Sequence, residues 1–375
     1  MLNLNEQQLQ ILQAVNKFAL KEIAPYADKW SQDKVFPVQT FKKAASIGLA
    51  GLNVSSNHGG MELDRYSTHL IFIELAKFCP CFSAYLSIHN MVAWATDSYG
   101  SSKVKEKYLT KLCSMEILSS YCLTEPGSGS DAASLKTIAS LNNDGASYTL
   151  NGQKAFISGA PDSDLYLCMT KVNENITAFL VDKKSPGISF GAQEKKMGWR
   201  SQSTASVHLD ACVVPKENMI GEIGQGFKIA MSALDKGRIS IGACSIGGAQ
   251  YCLEKTIAYM SERKQFDKPL KDFQALQFKI ANMTIELECA KQLLSQAAMS
   301  VDQNSDNTTL LCAMAKKKAT DVGFMVVNEA MQIHGGYGYL EDYQIERYLR
   351  DLRVHQILEG TNEIMQLIIA RKILS

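Results

Sequence analysis

Tyr148-Thr149-Leu150-Asn151-Gly152-Gln153-Lys154-Ala155-Phe156-Ile157 is the stretch on which the reading of this chain turns. Apolar and aromatic residues flank an Asn-Gly pair, which supplies the positive φ angles of a two-residue β-turn, so a hairpin is expected at 151–152. Further β-like runs stand at Leu165–Met169, Ile176–Val181 and Ala205–Leu209, which predicts a β segment over 116–222. On both sides the period becomes helical. Upstream, Ile11, Val15 and Phe18 are spaced by 4 and 3, and a second apolar stretch runs from Leu70 to Leu75 toward Leu86, with breaks expected at Pro25, Pro37 and Pro80. Downstream, Leu276, Ile280, Met283 and Leu287 repeat at 4, 3 and 4, Ile345, Leu349 and Leu352 at 4 and 3, and no proline follows Pro269. The expectation is a mainly α chain with a middle β domain: helical over 1–115, β over 116–222, and a C-terminal helical bundle over 223–375. The polar run Asp302–Thr309 reads as a loop between bundle helices.

A chain of 375 residues with 46% hydrophobic content can bury cores in two or three domains, which excludes fibrous and disordered classes. Lys+Arg 39 against Asp+Glu 38 leaves a formal charge of +1, so no overall field favours nucleic acid or an anionic membrane. The ten cysteines are irregularly spaced, with Cys79-Pro80-Cys81 the only close pair, and read as buried reduced thiols. Met1 to Gln10 is neither basic nor apolar, and no window approaches a membrane span. A cytoplasmic protein without membrane insertion is expected, or a mitochondrial matrix protein in a processed eukaryotic form.

Three segments have a composition suited to chemistry. Tyr121-Cys122-Leu123-Thr124-Glu125-Pro126-Gly127-Ser128-Gly129-Ser130-Asp131 combines glycines, which let backbone N–H groups approach an anion or flat ring, with hydroxyl donors; a plain turn after a strand accounts for it equally. Gln332-Ile333-His334-Gly335-Gly336-Tyr337-Gly338 is a helix break rich in glycine, open to a C-cap reading or a ligand reading. No second His or Cys stands at ligand spacing from His334, so no metal is expected. Glu359-Gly360-Thr361 puts a carboxylate between apolar stretches, where poor solvation would raise its pKa toward that of a useful base; a surface loop glutamate is the alternative.

In this order and at these separations the motifs resemble the acyl-CoA dehydrogenase family, over essentially the whole chain. Tyr121–Asp131 resembles its first flavin motif, Lys154-Ala155-Phe156-Ile157-Ser158 its second, Arg263-Lys264-Gln265-Phe266 its Arg-x-x-Phe signature, Gly335-Gly336 its glycine pair, and Glu359-Gly360-Thr361 its catalytic triplet. Within the family, Ser87–Met91, Ala155–Ala160 and Arg353–Gly360 are most similar to the branch acting on isobutyryl-CoA. The fold implied is a helical N-terminal domain, a middle β domain and a C-terminal four-helix bundle.

The resemblance implies FAD-dependent α,β-dehydrogenation of a short, branched acyl-CoA, with Glu359 as the base and electron-transfer flavoprotein as acceptor. Some relatives carry the base at the position of Gly237, which has no side chain to accept a proton. FAD would be lined by Tyr121, Cys122, Leu123, Thr124, Gly127, Gly129 and Ser130, by Phe156, Ile157 and Ser158, and by Thr361, Asn362 and Glu363, whose helix N-terminus suits phosphate. Glu363 is awkward there unless only its backbone is used. Arg263, Phe273, Gln274, Gln332, Ile333, His334, Gly335 and Gly336 would reach FAD held mainly by a neighbouring subunit, implying an oligomer, usually a homotetramer. Asp267 stands where relatives often have glycine, which leaves the turn after Phe266 open. Substrate contacts fall on Ser130, Asp235, Lys236, Gly237, Arg238 and Arg371, the last equally well read as a helix C-terminal charge. Butyryl- or 2-methylbutyryl-CoA are alternative substrates. An acyl-CoA oxidase, a flavin monooxygenase or a non-catalytic relative are rival readings, against which stand the chain length and the retained Glu359 and flavin motifs.

Overall fold

A computed structural model describes residues 4–374. Six helices lead the chain: α1 (Glu6–Glu22), α2 (Ala27–Asp33), α3 (Val38–Ala45), α4 (Arg65–Ala76), α5 (Pro80–Tyr99) and α6 (Ser102–Cys113). Asn5 starts α1 through a reciprocal capping box with Gln8. Pro80 occupies the first turn of α5, where its missing N–H leaves no bond unmade, so the break between α4 and α5 falls just before it. α5 is buried along most of its length and is fixed by polar side chains inside the core. Asn90 donates to Leu49 O and accepts from Leu52 N, while His89 donates to Leu112 O and accepts from Ser119 N, tying α5 to α6 and the first strand.

Eight strands follow: β1 (Ser119–Cys122), β2 (Ile138–Leu141), β3 (Ser147–Ser158), β4 (Leu165–Val172), β5 (Asn175–Asp182), β6 (Ile188–Phe190), β7 (Thr204–Pro215) and β8 (Met219–Ile220). They form one sheet in the order β6-β7-β3-β2-β4-β5-β8, with β1 parallel to β4. The hairpin expected at Asn151-Gly152 is not there. β3 runs straight through it, and the bulge falls on β7 opposite the pair, where Asp210 and Ala211 face Asn151 between the pairs Leu150–Cys212 and Gly152–Leu209. Two causes favour the bulge over a turn. β7 lies along the full length of β3, so pairing continues on both sides of the irregularity, and Asn151 Oδ1 accepts from Ala211 N at 2.8 Å. Gly152 also lets Thr137 approach closely; a Cβ there would lie 2.8 Å from the Thr137 Cα. The turn that does form joins β2 to β3 at 142–146, with Gly145 at φ +65°.

The chain then returns to helix: α7 (Gly226–Glu262), a short ribbon of β9 (Lys264–Gln265) and β10 (Lys268–Pro269), then α8 (Gln274–Asp302), α9 (Thr308–His334), α10 (Ile345–Arg353) and α11 (Asn362–Leu374). Phe266 and Asp267 close the ribbon with φ of +50° and +61°, both positive as a two-residue hairpin turn requires, and aspartate tolerates that region. One apolar core runs from the N-terminal helices into α7, α8 and α9, so the first and last parts of the chain pack as a single helical body. Two smaller cores fill the junction of α5 and α6 with the sheet, and the sheet's other face. All ten cysteines are free, and only Cys289 is exposed. No described helix is long and apolar enough to cross a membrane.

Candidate active site

α7 passes close beneath the side chain of Glu359. A Cβ placed on Gly237 would lie 2.5 Å from Glu359 Oε2 and 3.3 Å from the Met91 Sδ of α5, so a residue without a side chain is what makes room for the carboxylate. Glu359 and Gly360 both have positive φ, +54° and +90°, a conformation unfavourable for glutamate unless its surroundings fix it. They do. The Lys316 Nζ of α9 donates to Gly360 O at 2.8 Å and to Asn362 Oδ1 at 2.9 Å. Arg238 Nε of α7 donates to Glu359 O at 3.5 Å, and its NH1 pairs with Asp235 Oδ1 at 2.6 Å, whose other oxygen accepts from Thr309 at 2.8 Å. Asn362 completes the seat by donating to Thr320 Oγ1 and Asp321 Oδ1 at 3.0 and 2.7 Å.

The carboxylate tip is withdrawn from solvent, and Oε2 has no hydrogen-bond partner. Burial raises the Glu359 pKa to about 7, against the opposing pull of the Lys316 and Arg238 charges. A carboxylate poised there can accept a proton from a weak carbon acid and release it near neutrality. Tyr121 faces the same space: burial, and then the Glu359 charge, push its phenol upward, and its hydroxyl donates to Ala230 O at 3.4 Å.

On β3 stands an aromatic ledge. Phe156 is 67% exposed and has φ +57°, in a bulge whose extra residue is on β3, between the pairs Lys154–Val207 and Ile157–Ala205. Bulges re-aim side chains, and this one turns a phenyl face outward while Ile157 stays buried. The ledge is fastened to the 121–131 segment by Ala155 N donating to Thr124 O at 2.9 Å. Beneath it Lys154, fully buried, donates to Glu125 Oε1 at 2.8 Å. Glu125 also accepts from Lys136 N, Thr137 N and Thr137 Oγ1. Burial pushes the Glu125 carboxyl up, but the Lys154 and Thr137 bonds and the Lys154 charge outweigh it and hold the group below its ordinary value. Gly127, Gly129 and Ser130 are exposed, with open space where Cβ atoms on the two glycines would stand. Cys122 and Leu123 are buried in the cores, so only their backbone can line the ledge.

The other sequence-predicted residues gather elsewhere. Arg263, Ile333, His334, Gly335 and Gly336 line a groove of about 520 Å³ with Tyr259 and Tyr337. Arg263 lies over the Tyr337 ring at 5.2 Å, and His334, stacked on Tyr259, leaves its buried Nε2 unpartnered. Phe273 packs edge-on to Phe266, with Gln274 exposed next to it in sequence and Gln332 exposed beside Ile333 on α9. Gly237 and Arg263 are 26 residues apart on and at the end of α7, about 39 Å at 1.5 Å per residue, so the groove and the Glu359 carboxylate are separate places on one chain. Thr361 Oγ1 accepts from Ile364 N at 3.3 Å, Glu363 is exposed in the first turn of α11, and Arg371 is exposed in its last. Arg238 is 4% exposed and committed to Asp235 and the Glu359 carbonyl, while Lys236 lies over the Trp94 ring at 3.9 Å. Lys316, which the sequence reading passed over, carried one signal: it sits on the buried stripe of α9 with Cys312, Ala319 and Gly323.

Known families match this arrangement over nearly the whole chain. Residues 5–116 match the family described as "Acyl-CoA dehydrogenase, N-terminal domain", 120–212 its middle domain and 224–374 its C-terminal domain.

The chain belongs to the acyl-CoA dehydrogenase family.

Among its acyl-CoA dehydrogenase relatives is the mitochondrial isobutyryl-CoA dehydrogenase of Bos taurus, 45% identical over 100% of this chain and 90% of that protein. The butyryl-CoA dehydrogenase of Megasphaera elsdenii superposes with a TM-score of 0.96 at 36% identity, covering 100% of both chains. A structure described as the electron transferring flavoprotein of Acidaminococcus fermentans matches with the same TM-score and identity over 100% of this chain and 99% of that one.

The residues present fit a flavin of this family. An exposed, strained phenyl face is fastened to the 121–131 segment, whose Tyr121 feels the charge of the unpartnered buried carboxylate, and this suits a flat ring held on the way to a reacting carbon. A guanidinium with open glycines and an orphaned imidazole nitrogen suits a phosphate and sugar chain.

Proposed function

We propose that this protein is an FAD-dependent acyl-CoA dehydrogenase that acts on a short, branched thioester of the isobutyryl type and hands its electrons to an electron-transfer flavoprotein. One observation carries the reading: the buried Oε2 of Glu359, unpartnered and with a pKa of about 7, over the glycine gap at 237. Bound FAD would supply the acceptor for the β-hydride. Glu359 removes the α-proton, and the gap at Gly237 lets the carboxylate reach the substrate's α-carbon. The Glu359 N–H, on the clamped loop, is the donor this reading assigns to the thioester oxygen, where charge grows as the proton leaves. Phe156, Thr124 and the 125–131 turn hold the flavin ring. A base positioned this way contributes about 10²–10⁴ in rate.

The branched substrate is supported by the full-length likeness to the bovine isobutyryl-CoA dehydrogenase, and the acceptor by the likeness to the Acidaminococcus structure. The separation of about 39 Å between the Glu359 site and the groove along α7 supports an oligomer in which each copy's Arg263 groove serves a neighbour's FAD, a homotetramer in the family's usual form. The test is anaerobic bleaching of the flavin. Glu359→Gln should stay yellow and lose nearly all bleaching, and unchanged bleaching would remove Glu359 from the mechanism. Comparing kcat/KM for isobutyryl-, 2-methylbutyryl- and butyryl-CoA decides the acyl group, since one methylene is worth about 1–3 kcal/mol.

A further inference from the structure

We infer that Lys316 is a positioning residue for Glu359: its two hydrogen bonds hold the Glu359-Gly360 loop, and its charge sets the pH range in which the carboxylate works as a base. The inference rests on the reading of Glu359 as the base.

Lys316 is fully buried on a helix stripe of small apolar residues, a position where an ammonium is costly unless other elements bring it partners. The partners come from the loop that carries Glu359: Gly360 O at 2.8 Å and Asn362 Oδ1 at 2.9 Å. Both are neutral acceptors, so the hydrogen bonds leave the charge uncompensated. The anion that acts on it most strongly is Glu359, ahead of Asp321 and Glu363. Asp321 is already engaged by Lys317, Gln356 and Asn362, and Glu363 is exposed on α11.

The groups facing Glu359 from each packed element single out Lys316. From α7 come Arg238, whose charge is met by Asp235 at 2.6 Å, and Cys244, a buried thiol. From β1 comes Tyr121, a buried phenol. His355, in the turn before the loop, accepts from Trp199 Nε1 and donates to Ser245, and is neutral. That leaves Lys316 on α9 as the cation near Glu359 without a carboxylate of its own, among the described residues.

Donor and charge can be separated by substitution. Lys316→Gln keeps an N–H donor and removes the charge, whereas Lys316→Arg keeps the charge. The experiment is the anaerobic rate of flavin bleaching by isobutyryl-CoA, with FAD-loaded enzyme, between pH 6 and 9. Removing a nearby cation raises a carboxylate's pKa, so the acid limb of Lys316→Gln should move alkaline by about one unit or more. A shift from about 7 to about 8 lowers the ionised fraction at pH 7 from one half to one eleventh, a rate loss of about fivefold, and is nearly silent at pH 9. Lys316→Arg should keep the wild-type limb. A loss of equal size at every pH would make Lys316 merely structural and overturn the inference, as would an unmoved limb.

A second measurement needs no turnover. The infrared band of the protonated Glu359 carboxyl, identified by its absence in Glu359→Gln, should titrate at higher pH in Lys316→Gln holoenzyme; an unchanged midpoint overturns the inference. The band reports on Lys316 even if Glu359→Gln still bleaches, so failure of the base assignment and failure of the Lys316 role give different results.

Discussion

Gly237→Ala separates the fold from the chemistry, because the only atom it adds points at the base. In the folded protein a Cβ at 237 would stand 2.5 Å from Glu359 Oε2, whereas ordinary contacts begin near 3.4 Å, so the carboxylate must retreat by roughly 0.9 Å. Displacing a reacting group by about 1 Å costs about 10²-fold in rate, or about 2.7 kcal/mol of barrier. Stability should move the other way. Replacing a mid-helix glycine by alanine gains up to about 1 kcal/mol, and the atoms obstructing the new methyl are the ends of two flexible side chains, Glu359 and Met91. The variant should therefore bind FAD, unfold no earlier than wild type, and bleach with isobutyryl-CoA about 100-fold more slowly under anaerobic single turnover. The loss should fall on the rate at saturation rather than on the substrate concentration needed for half-saturation. Wild-type bleaching by a folded Gly237→Ala protein would refute the placement of the carboxylate over this gap.

Two further outcomes follow from buried charges. Glu125→Ala leaves the fully buried Lys154 without its partner, so it should lose about 3–5 kcal/mol of stability in denaturant titration and release FAD as the 125–131 turn loosens; a stable, yellow variant contradicts this role. Stability should also fall in mild acid: His69, His89 and His355 are pulled by burial to about 4, 4 and 3, below the unfolded value of about 6.5, so each contributes stability above pH 6.5 that is lost as the unfolded chain takes up protons. Glu359, raised to about 7, works in the opposite sense over the same window and offsets part of the loss, so the unfolding free energy should fall between pH 6.5 and 5; a flat unfolding free energy over that range would refute it.

Period was a good guide to the helices and to the strands, whereas the turn signal inside β3 was a poor one. Ile11, Val15 and Phe18 lie on α1, Leu276 to Leu287 on α8 and Ile345 to Leu352 on α10, because a helix's buried face is a property of its own sequence. Asn151-Gly152 misled for the converse reason. Whether that pair turns or runs straight on depends on what lies alongside, and β7, some fifty residues later, pairs with both halves of β3. The Asp144-Gly145 turn nearby closes a hairpin with no competing partner.

The same distinction separates what could be read of the site from what could not. Glu359 stood out because a carboxylate between two apolar stretches is an unusual local pattern, although the groups that bury it, Gly237, Met91 and Tyr121, come from other elements. Lys316 and Gly237 act on it from 43 and 122 residues away in the chain, through contacts that no local pattern encodes. Lys316 was further masked by Lys317 and Lys318, which make a solvated basic run the natural reading. Helical spacing distinguishes them: Lys316 follows Cys312 by four residues and precedes Ala319 and Thr320 by three and four, all buried, while Lys317 and Lys318 fall outside that stripe. An ionisable residue in phase with a helix's apolar face requires acceptors from another element. Here they come from the single loop whose carboxylate must be held in an unfavourable backbone conformation beside a reacting carbon. The energetic burden of burying the ammonium is thus tied to the position of the base, which is why changing its charge should be felt first in the pH profile and only secondarily in the fold.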